Sequence, residues 1–320
     1  EYIFKTYRSF FNKITTNKMK VAICFFISYD NDLIKTQIWK NWIQKNKDII
    51  NVYFHYDKSK PIKDSWIKKH SLPEDKIASC SYYHMVPAYL RIMNYAFDND
   101  QENTWFVFVT ESCVPIVSPS KFRETFFKRN DTSIFAWKKP WWNVYLQSRA
   151  NLRLLNEDFR LGHDPWFILT RKDVERCCTF PKIKKDIFYL VCKGGLANES
   201  LFAVMLRSFN VLDEVINEPS HICNWHKMSS ATSPYVFKSG DTEEITFINT
   251  AINKNKYAFF LRKIDKDFPD DILKQIISEN TLPTIEPKIN VWRLLKKFVM
   301  CFSFGILTYF SLTIFKEISF

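Results

Sequence analysis

Glycine is scarce: the 320 residues hold five, at positions 162, 194, 195, 240 and 305. Their spacing excludes a GxGxxG dinucleotide turn, and none precedes a lysine, which excludes a Walker A loop. Two of the commonest phosphate cradles are therefore gone. None of the eight cysteines forms a CxxC pair, and the adjacent Cys177 and Cys178 suit neither an ordinary disulfide nor a zinc site. A mostly reduced chain is the default, with one or two bridges left open. The six histidines contain no HxH and no HExxH. Acidic residues are the minority charge: 46 Lys and Arg against 34 Asp and Glu leave +12. A solvated lysine-rich surface would account for this, as would an anionic ligand or an anionic membrane face. No finger spacing, basic heptad helix or RNP-like aromatic signature points to nucleic acid.

Apolar and aromatic residues are plentiful, at 46% and 17% with 30 Phe, so the chain can bury a sizeable core and wholesale disorder is excluded. Residues 21–29 form a continuous apolar run of strand length, and 30–48 carry apolar side chains at helical spacing. Residues 49–54 predict a second strand that runs into His55, Tyr56 and Asp57. This β-α-β order predicts an α/β fold with a mostly parallel sheet. Residues 58–73 read as a polar linker and 82–97 as a helix. A buried strand follows at 105–109, broken at 111–115. Next come a helix at 120–128 capped by Ser120, and a strand at 134–137 leading into KKPWW at 138–142. A strand at 166–169, a helix at 171–178 and a helix at 198–209 with Glu199 in its first turn complete the pattern, with short segments at 211–216, 237 and 259–261.

The C-terminal region predicts something else. Residues 298–315 are 18 in a row without a charge, 13 of them apolar. As a helix they would span about 27 Å, enough for a hydrocarbon core. We expect a single-pass anchor, the alternative being a buried terminal helix. Arg293, Lys296 and Lys297 before it favour a cytoplasmic main domain by the positive-inside rule. The division is a segment 1–18 lacking the apolar run of a secretory signal, a catalytic-size domain 19–280, a linker 281–297 and the anchor 298–315.

In open α/β sheets ligands settle at the carboxyl ends of strands, which nominates Tyr56 and Asp57, and Glu111 to Cys113. Asp57 would accept hydrogen bonds from a base or ribose, or cap a turn. The triplets Asp30-Asn31-Asp32 and Asp98-Asn99-Asp100 do not follow internal strands, so no metal role is expected of them. Glu199 follows Gly194-Gly195 among apolar neighbours. A carboxylate there has the setting of a general base with a raised pKa, or of a favourable charge at a helix N-terminus. Arg262 and Lys263 would neutralise a diphosphate, or form a surface pair.

Eight segments in order resemble one family, the core-2/I-branching β-1,6-N-acetylglucosaminyltransferases (glycosyltransferase family 14), in the manner of a divergent plant or viral relative. They are VAICFFISYDNDL at 21–33, VYFHYD at 52–57, HMVPAYLRIMNYAF at 84–97 and WFVFVTESCVPIVSPSKF at 105–122. FRLGHDPWFILTR at 159–171, NESLFAVML at 198–206, HICNWHK with SPYVF at 221–237, and FFLRKI at 259–264 complete the set. The resemblance implies a GT-A-like, Rossmann-like nucleotide-sugar transferase domain that works without a metal, in keeping with TESC at 110–113. It implies inverting transfer of a sugar, GlcNAc in the first instance, from a UDP-sugar to a glycan or glycoprotein hydroxyl. Relatives that use UDP-xylose or UDP-glucuronate keep the donor open.

By position, Glu199 matches the base, while Arg262 and Lys263 match the basic element on the departing diphosphate. His55 and Asp57 match the nucleotide segment. Glu111, Ser112, His163 and Trp166 fall on sugar-lining segments, and Trp225 matches an acceptor-side aromatic. The chain departs from the family at Tyr83, His84, Asn198 and Ser233. Members are generally lumenal, Golgi-type proteins anchored at the N-terminus, whereas the apolar run here is C-terminal. Two rival readings stand beside this one: a non-catalytic carbohydrate- or nucleotide-binding membrane protein of the same fold, and a structural membrane protein whose basic face binds anionic lipid.

Overall fold

The first strand, β1 (Lys20–Phe26), shows why an unbroken apolar run becomes a strand here. Its alternate side chains enter two different cores. Val21, Ile23 and Phe25 join Trp39, Trp42 and Trp105 in one; Ala22, Cys24 and Phe26 join Tyr89, Phe108 and Phe202 in the other. A strand buried on both faces is what a parallel sheet covered by helices requires. The structure, a computed structural model, describes residues 19–230 and 232–279.

The later strands are β2 (Ile50–His55), β3 (Asn103–Thr110), β4 (Val114–Pro115), β5 (Trp137–Lys138), β6 (Gly162–His163), β7 (Ile168–Thr170), β8 (His221–Cys223) and β9 (Phe260–Arg262). The central sheet has the order β2-β1-β3-β7, with β1 parallel to β2 and β3, and β7 antiparallel to β3. A smaller sheet, β4-β9-β8, pairs β9 parallel to β8 and antiparallel to β4, while β5 and β6 form an antiparallel pair. The expected α/β class with a mostly parallel central sheet is what the chain adopts, consistent with a GT-A-like fold.

Helices α1 (Thr36–Gln44), α2 (Ser65–His70), α3 (Val86–Asn99), α4 (Pro119–Arg129), α5 (Arg171–Ile183), α6 (Lys185–Cys192), α7 (Leu201–Ser208), α8 (Thr242–Lys254) and α9 (Asp270–Glu279) cover the sheets. Helix α1 docks through two tryptophans whose ring N–H groups stay paired in the core. Trp39 donates to the Cys113 carbonyl and Trp42 to the Val117 carbonyl, each at 2.8 Å. Burying a large ring is favourable only when its polar edge finds such a partner.

Several boundaries differ from the sequence pattern for local reasons. Helix α1 starts at Thr36 because Asn31 takes φ 51° and Asp32 accepts from Leu33 N–H and Thr36 Oγ1, closing a turn first. The supposed linker at 58–73 contains α2, capped by the Asp64 carboxylate on the N–H groups of Trp66 and Ile67. Ser118, not Ser120, caps α4, with Pro119 in the first turn. The segment at 198–209 splits into a 3-10 turn, Ala197–Glu199, and α7. Among the described residues no helix is long and apolar enough to cross a membrane. The proposed segment 1–18, linker 281–297 and anchor 298–315 lie outside the described residues.

Phe108 is fully buried, packed on Phe26, Tyr89 and Phe167, whereas Phe127 is exposed on α4. Phe108→Ala should cost about 3–5 kcal/mol in urea unfolding, and Phe127→Ala less than about 1 kcal/mol.

Candidate active site

The carboxyl ends of β1, β2 and β3 finish level, because Phe26 pairs with both His55 and Thr110. Past this edge the chain turns through Glu111 and Ser112, and β9 brings Arg262 against that turn. The Arg262 guanidinium donates through Nη1 to Thr110 Oγ1 and to Ser112 Oγ, the latter at 2.8 Å. It also lies over the Trp166 ring, 4.3 Å from the ring centre. The Ser112 carbonyl accepts from Ile264 N–H at 3.0 Å, locking both segments together. Arg262 thus has hydroxyls and a ring for neighbours, and forms no ion pair among the described residues.

Lys263 is half-buried; its carbonyl accepts from Phe237 N–H at 2.8 Å, and its ammonium has no hydrogen-bond or ion-pair partner among the described residues. Burial, then the Arg262 charge, pushes its ammonium pKa down, with Glu111 opposing. Glu111 is buried, and its carboxylate accepts from Ser28 N–H at 3.1 Å. Burial raises its pKa, opposed first by Arg262. Two cations beside one buried carboxylate leave an excess of positive charge at the strand ends.

A second charged group is built from the glycine loop. A Cβ on Gly194 would stand 2.4 Å from the Asn151 nitrogen, so only glycine fits. Ala150 N–H donates to the Gly195 carbonyl at 3.0 Å, and Ala150 and Asn151 take φ of 52° and 51°. Leu196, at φ 56°, donates to the Tyr83 carbonyl and opens the turn that holds Glu199. This double lock sets Arg149 against Glu199 in an ion pair, each side chain 19% exposed. The Arg149 guanidinium also lies 4.2 Å from the centre of the Trp142 ring. Burial pushes the Glu199 pKa up, the Arg149 charge pulls it down, and Asp164 pushes it up again.

Tyr89 links the two groups: its ring packs on Phe202, three residues past Glu199, and its hydroxyl donates to the Pro165 carbonyl beside Trp166, which lies under Arg262. The sequence reading did not single out Arg149, Trp141, Trp142 or Asp164. The KKPWW run followed by an arginine was the available signal for the first three.

The other nominated residues take several positions. His163 is buried beside Phe135, its Nδ1 bonded to the Asp164 carbonyl and its Nε2 unpaired. Burial lowers its pKa to about 4. His55 is likewise buried, with a pKa near 4. Its Nε2 accepts from Ala78 N–H at 3.1 Å, which makes it a neutral anchor for that loop. Asp57 accepts from the N–H and hydroxyl of Ser59, in a turn that Asn31 ties down through the Asp57 and Lys60 carbonyls. The turn-capping alternative therefore describes Asp57 as it stands. Trp225 is 44% exposed in the loop after β8, beside a small cavity of about 220 Å³ lined by Asn224, Lys227 and Tyr235.

Asp100 of the second acidic triplet serves Lys20 and Asn51. Among the described residues no group of three or more His, Cys, Asp or Glu could hold a metal ion. A groove of about 500 Å³ between α3, α5 and α6 contains none of Glu199, Arg262 or Lys263. Charge, not cavity size, marks the site.

Compared with known proteins, the chain matches one family model, described as Core-2/I-Branching enzyme, over residues 23–248. The match includes Glu199 and ends before Arg262 and Lys263. No curated protein matches the chain.

The Arg149 charge holds the Glu199 pKa below what burial alone would give. Arg149→Met should therefore raise it further, moving the carboxyl resonance of Glu199 to a higher midpoint in an NMR pH titration. An unchanged midpoint would remove Arg149 from the electrostatics of the site.

Proposed function

Because the chain belongs to the Core-2/I-branching enzyme family, a family of glycosyltransferases, we propose that it moves a sugar from a UDP-sugar, GlcNAc in the first instance, to a hydroxyl of a glycan acceptor. The observation that carries this is the separation of charge between two groups that Tyr89 links. Arg262 and Lys263, without ion-pair partners among the described residues, stand at the strand ends, and a part-buried Glu199 stands in the other group.

The reaction follows from that layout. Ionised Glu199 takes the proton of the acceptor hydroxyl. The oxygen attacks the anomeric carbon from the face opposite the diphosphate, and the configuration inverts. The bond from that carbon to the diphosphate oxygen breaks, and its electron pair leaves with UDP. Arg262 and Lys263 neutralise the charge that develops there, the work a metal ion does elsewhere, and Arg262, held by Thr110, Ser112 and Trp166, needs no reorganisation to do it. Burial moves the Glu199 pKa upward, toward the range in which a base works well, while Arg149 keeps the ionised form available. The incoming hydroxyl must share Glu199 with Arg149 or use the other carboxylate oxygen.

Ser112 orients Arg262, Trp166 supports its face, and Glu111 balances the cations from beneath. Trp225 and the aromatics around Arg149 offer ring faces to an acceptor. The apolar stretch 298–315 is proposed as a single-pass tether, to a Golgi-type membrane by family analogy. The Arg149–Glu199 pair favours one second reading, a sugar- or nucleotide-binding relative in which the carboxylate stays neutralised.

Glu199→Gln should lower transfer, and the slower hydrolysis of UDP-N-acetylglucosamine, by about 10²–10⁴-fold with UDP affinity nearly unchanged. Lys263→Ala should weaken UDP binding by roughly tenfold or more. Wild-type turnover in Glu199→Gln would reject the base, and a wild-type protein that binds UDP without turnover would favour the second reading.

A further inference from the structure

Asp164 is a third charged group of the cleft, and none of the roles above uses it. Its backbone is tied on every side. Its N–H donates to the Ala136 carbonyl at 3.3 Å, and its own carbonyl accepts from His163 Nδ1 at 2.8 Å. The next carbonyl, of Pro165, accepts from the Tyr89 hydroxyl at 2.5 Å. Trp166, two residues on, supports the Arg262 guanidinium.

The carboxylate itself is free: no hydrogen bond or ion pair reaches it among the described residues. Yet its charge acts on Glu199 on one side and on Cys223, the cross-strand partner of Arg262, on the other. Among the described residues, Lys138 is the cation whose charge acts on it. The segment around it spans the two groups, since His163 packs on Phe202, three residues past Glu199, and Trp166 lies under Arg262. Buried polar atoms without a protein partner occur at both ends: Arg262 Nε and His221 Nε2 beside Trp166, and Arg149 Nε, Asn198 Oδ1 and Ser200 Oγ at and beside Glu199. Folded proteins seldom leave such atoms unpaired unless water or a ligand completes them.

We infer that Asp164 faces the donor sugar between Glu199 and the diphosphate cations, accepts hydrogen bonds from the hydroxyls of a neutral sugar, and excludes a uronate donor. The inference rests on the glycosyltransferase reading and deepens it by naming the donor class. Its physical basis is simple. A carboxylate offers acceptors only, so it suits hydroxyl groups. A uronate would bring a negative charge beside both Asp164 and Glu199 in a poorly solvated space. The cations that could offset it are committed elsewhere: Arg149 to Glu199, Arg262 and Lys263 to the diphosphate, and the exposed Lys138 to the Trp141 ring and to Asp164 itself.

The test measures binding of UDP, UDP-N-acetylglucosamine, UDP-xylose and UDP-glucuronate to the full chain and to Asp164→Asn. In the wild type, UDP-glucuronate should bind about tenfold or more below the two neutral sugar nucleotides. Asp164→Asn should close most of that gap while the affinity for UDP alone stays the same. A wild type that binds the uronate as well as the neutral donors overturns the proposal without recourse to any variant, which decides the matter even where Asp164→Asn fails to fold. An unchanged ratio in a folded Asp164→Asn overturns it too. A wild type that binds no UDP rejects the transferase reading and this proposal with it, so the two failures are distinct.

Discussion

An arginine held by hydroxyls and a ring, and in no ion pair among the described residues, sets the terms for the rest of the site. Arg262 is the last residue of β9, in the smaller sheet, yet its guanidinium is fixed by Thr110 and Ser112 at the end of β3 in the central sheet. Its flat face rests on Trp166, just ahead of β7. One side chain therefore joins three separate stretches of chain, and it does so without using up its charge. A buried or half-buried cation of this kind is costly unless something anionic comes to it. The fold meets part of that cost with Glu111, whose own ionisation burial discourages. The remaining positive charge is what the site offers to a ligand.

The other end of the cleft is organised in the opposite sense. Glu199 and Asp164 are both pushed toward protonation by burial, and Asp164 adds to the effect at Glu199. Arg149 keeps the balance, and its position depends on backbone features far from its own charge: the glycine at 194 and the left-handed residues at 150 and 151. A sugar nucleotide laid from Arg262 toward Glu199 would run from the cationic end to the acidic one. Its diphosphate and its hydroxyls would then meet the groups that suit each.

Much of the fold was legible in the sequence because burial on both faces leaves a continuous apolar run, as at residues 21–26, and the spacing of Trp39 and Trp42 marks the covering helix. The class followed from the β-α-β order, and the family from eight ordered segments. Boundaries were less legible, since they were decided by turns: Asn31 at positive φ delays α1, and Ser200, at φ −145° and ψ −40°, breaks the helix expected from 198. Glu199, Arg262 and Lys263 could be nominated because each sits next to a recognisable segment. Arg149 and Asp164 could not, because their meaning lies in long-range contacts. Fifty residues separate Arg149 from Glu199, and only the folded loop reveals the pair. His55 and Asp57 illustrate the converse: both stand at a strand end as expected, but their polar atoms already serve the Ala78 loop and the Asn31 turn.

The central claim is that fixed side chains, not a metal ion, hold the diphosphate. Calorimetric titration of UDP into the full-length protein in excess EDTA tests it most directly. The account predicts binding that is unaffected by the chelator and not strengthened by added Mn²⁺ or Mg²⁺. Binding that vanishes in EDTA and returns with either cation would contradict it.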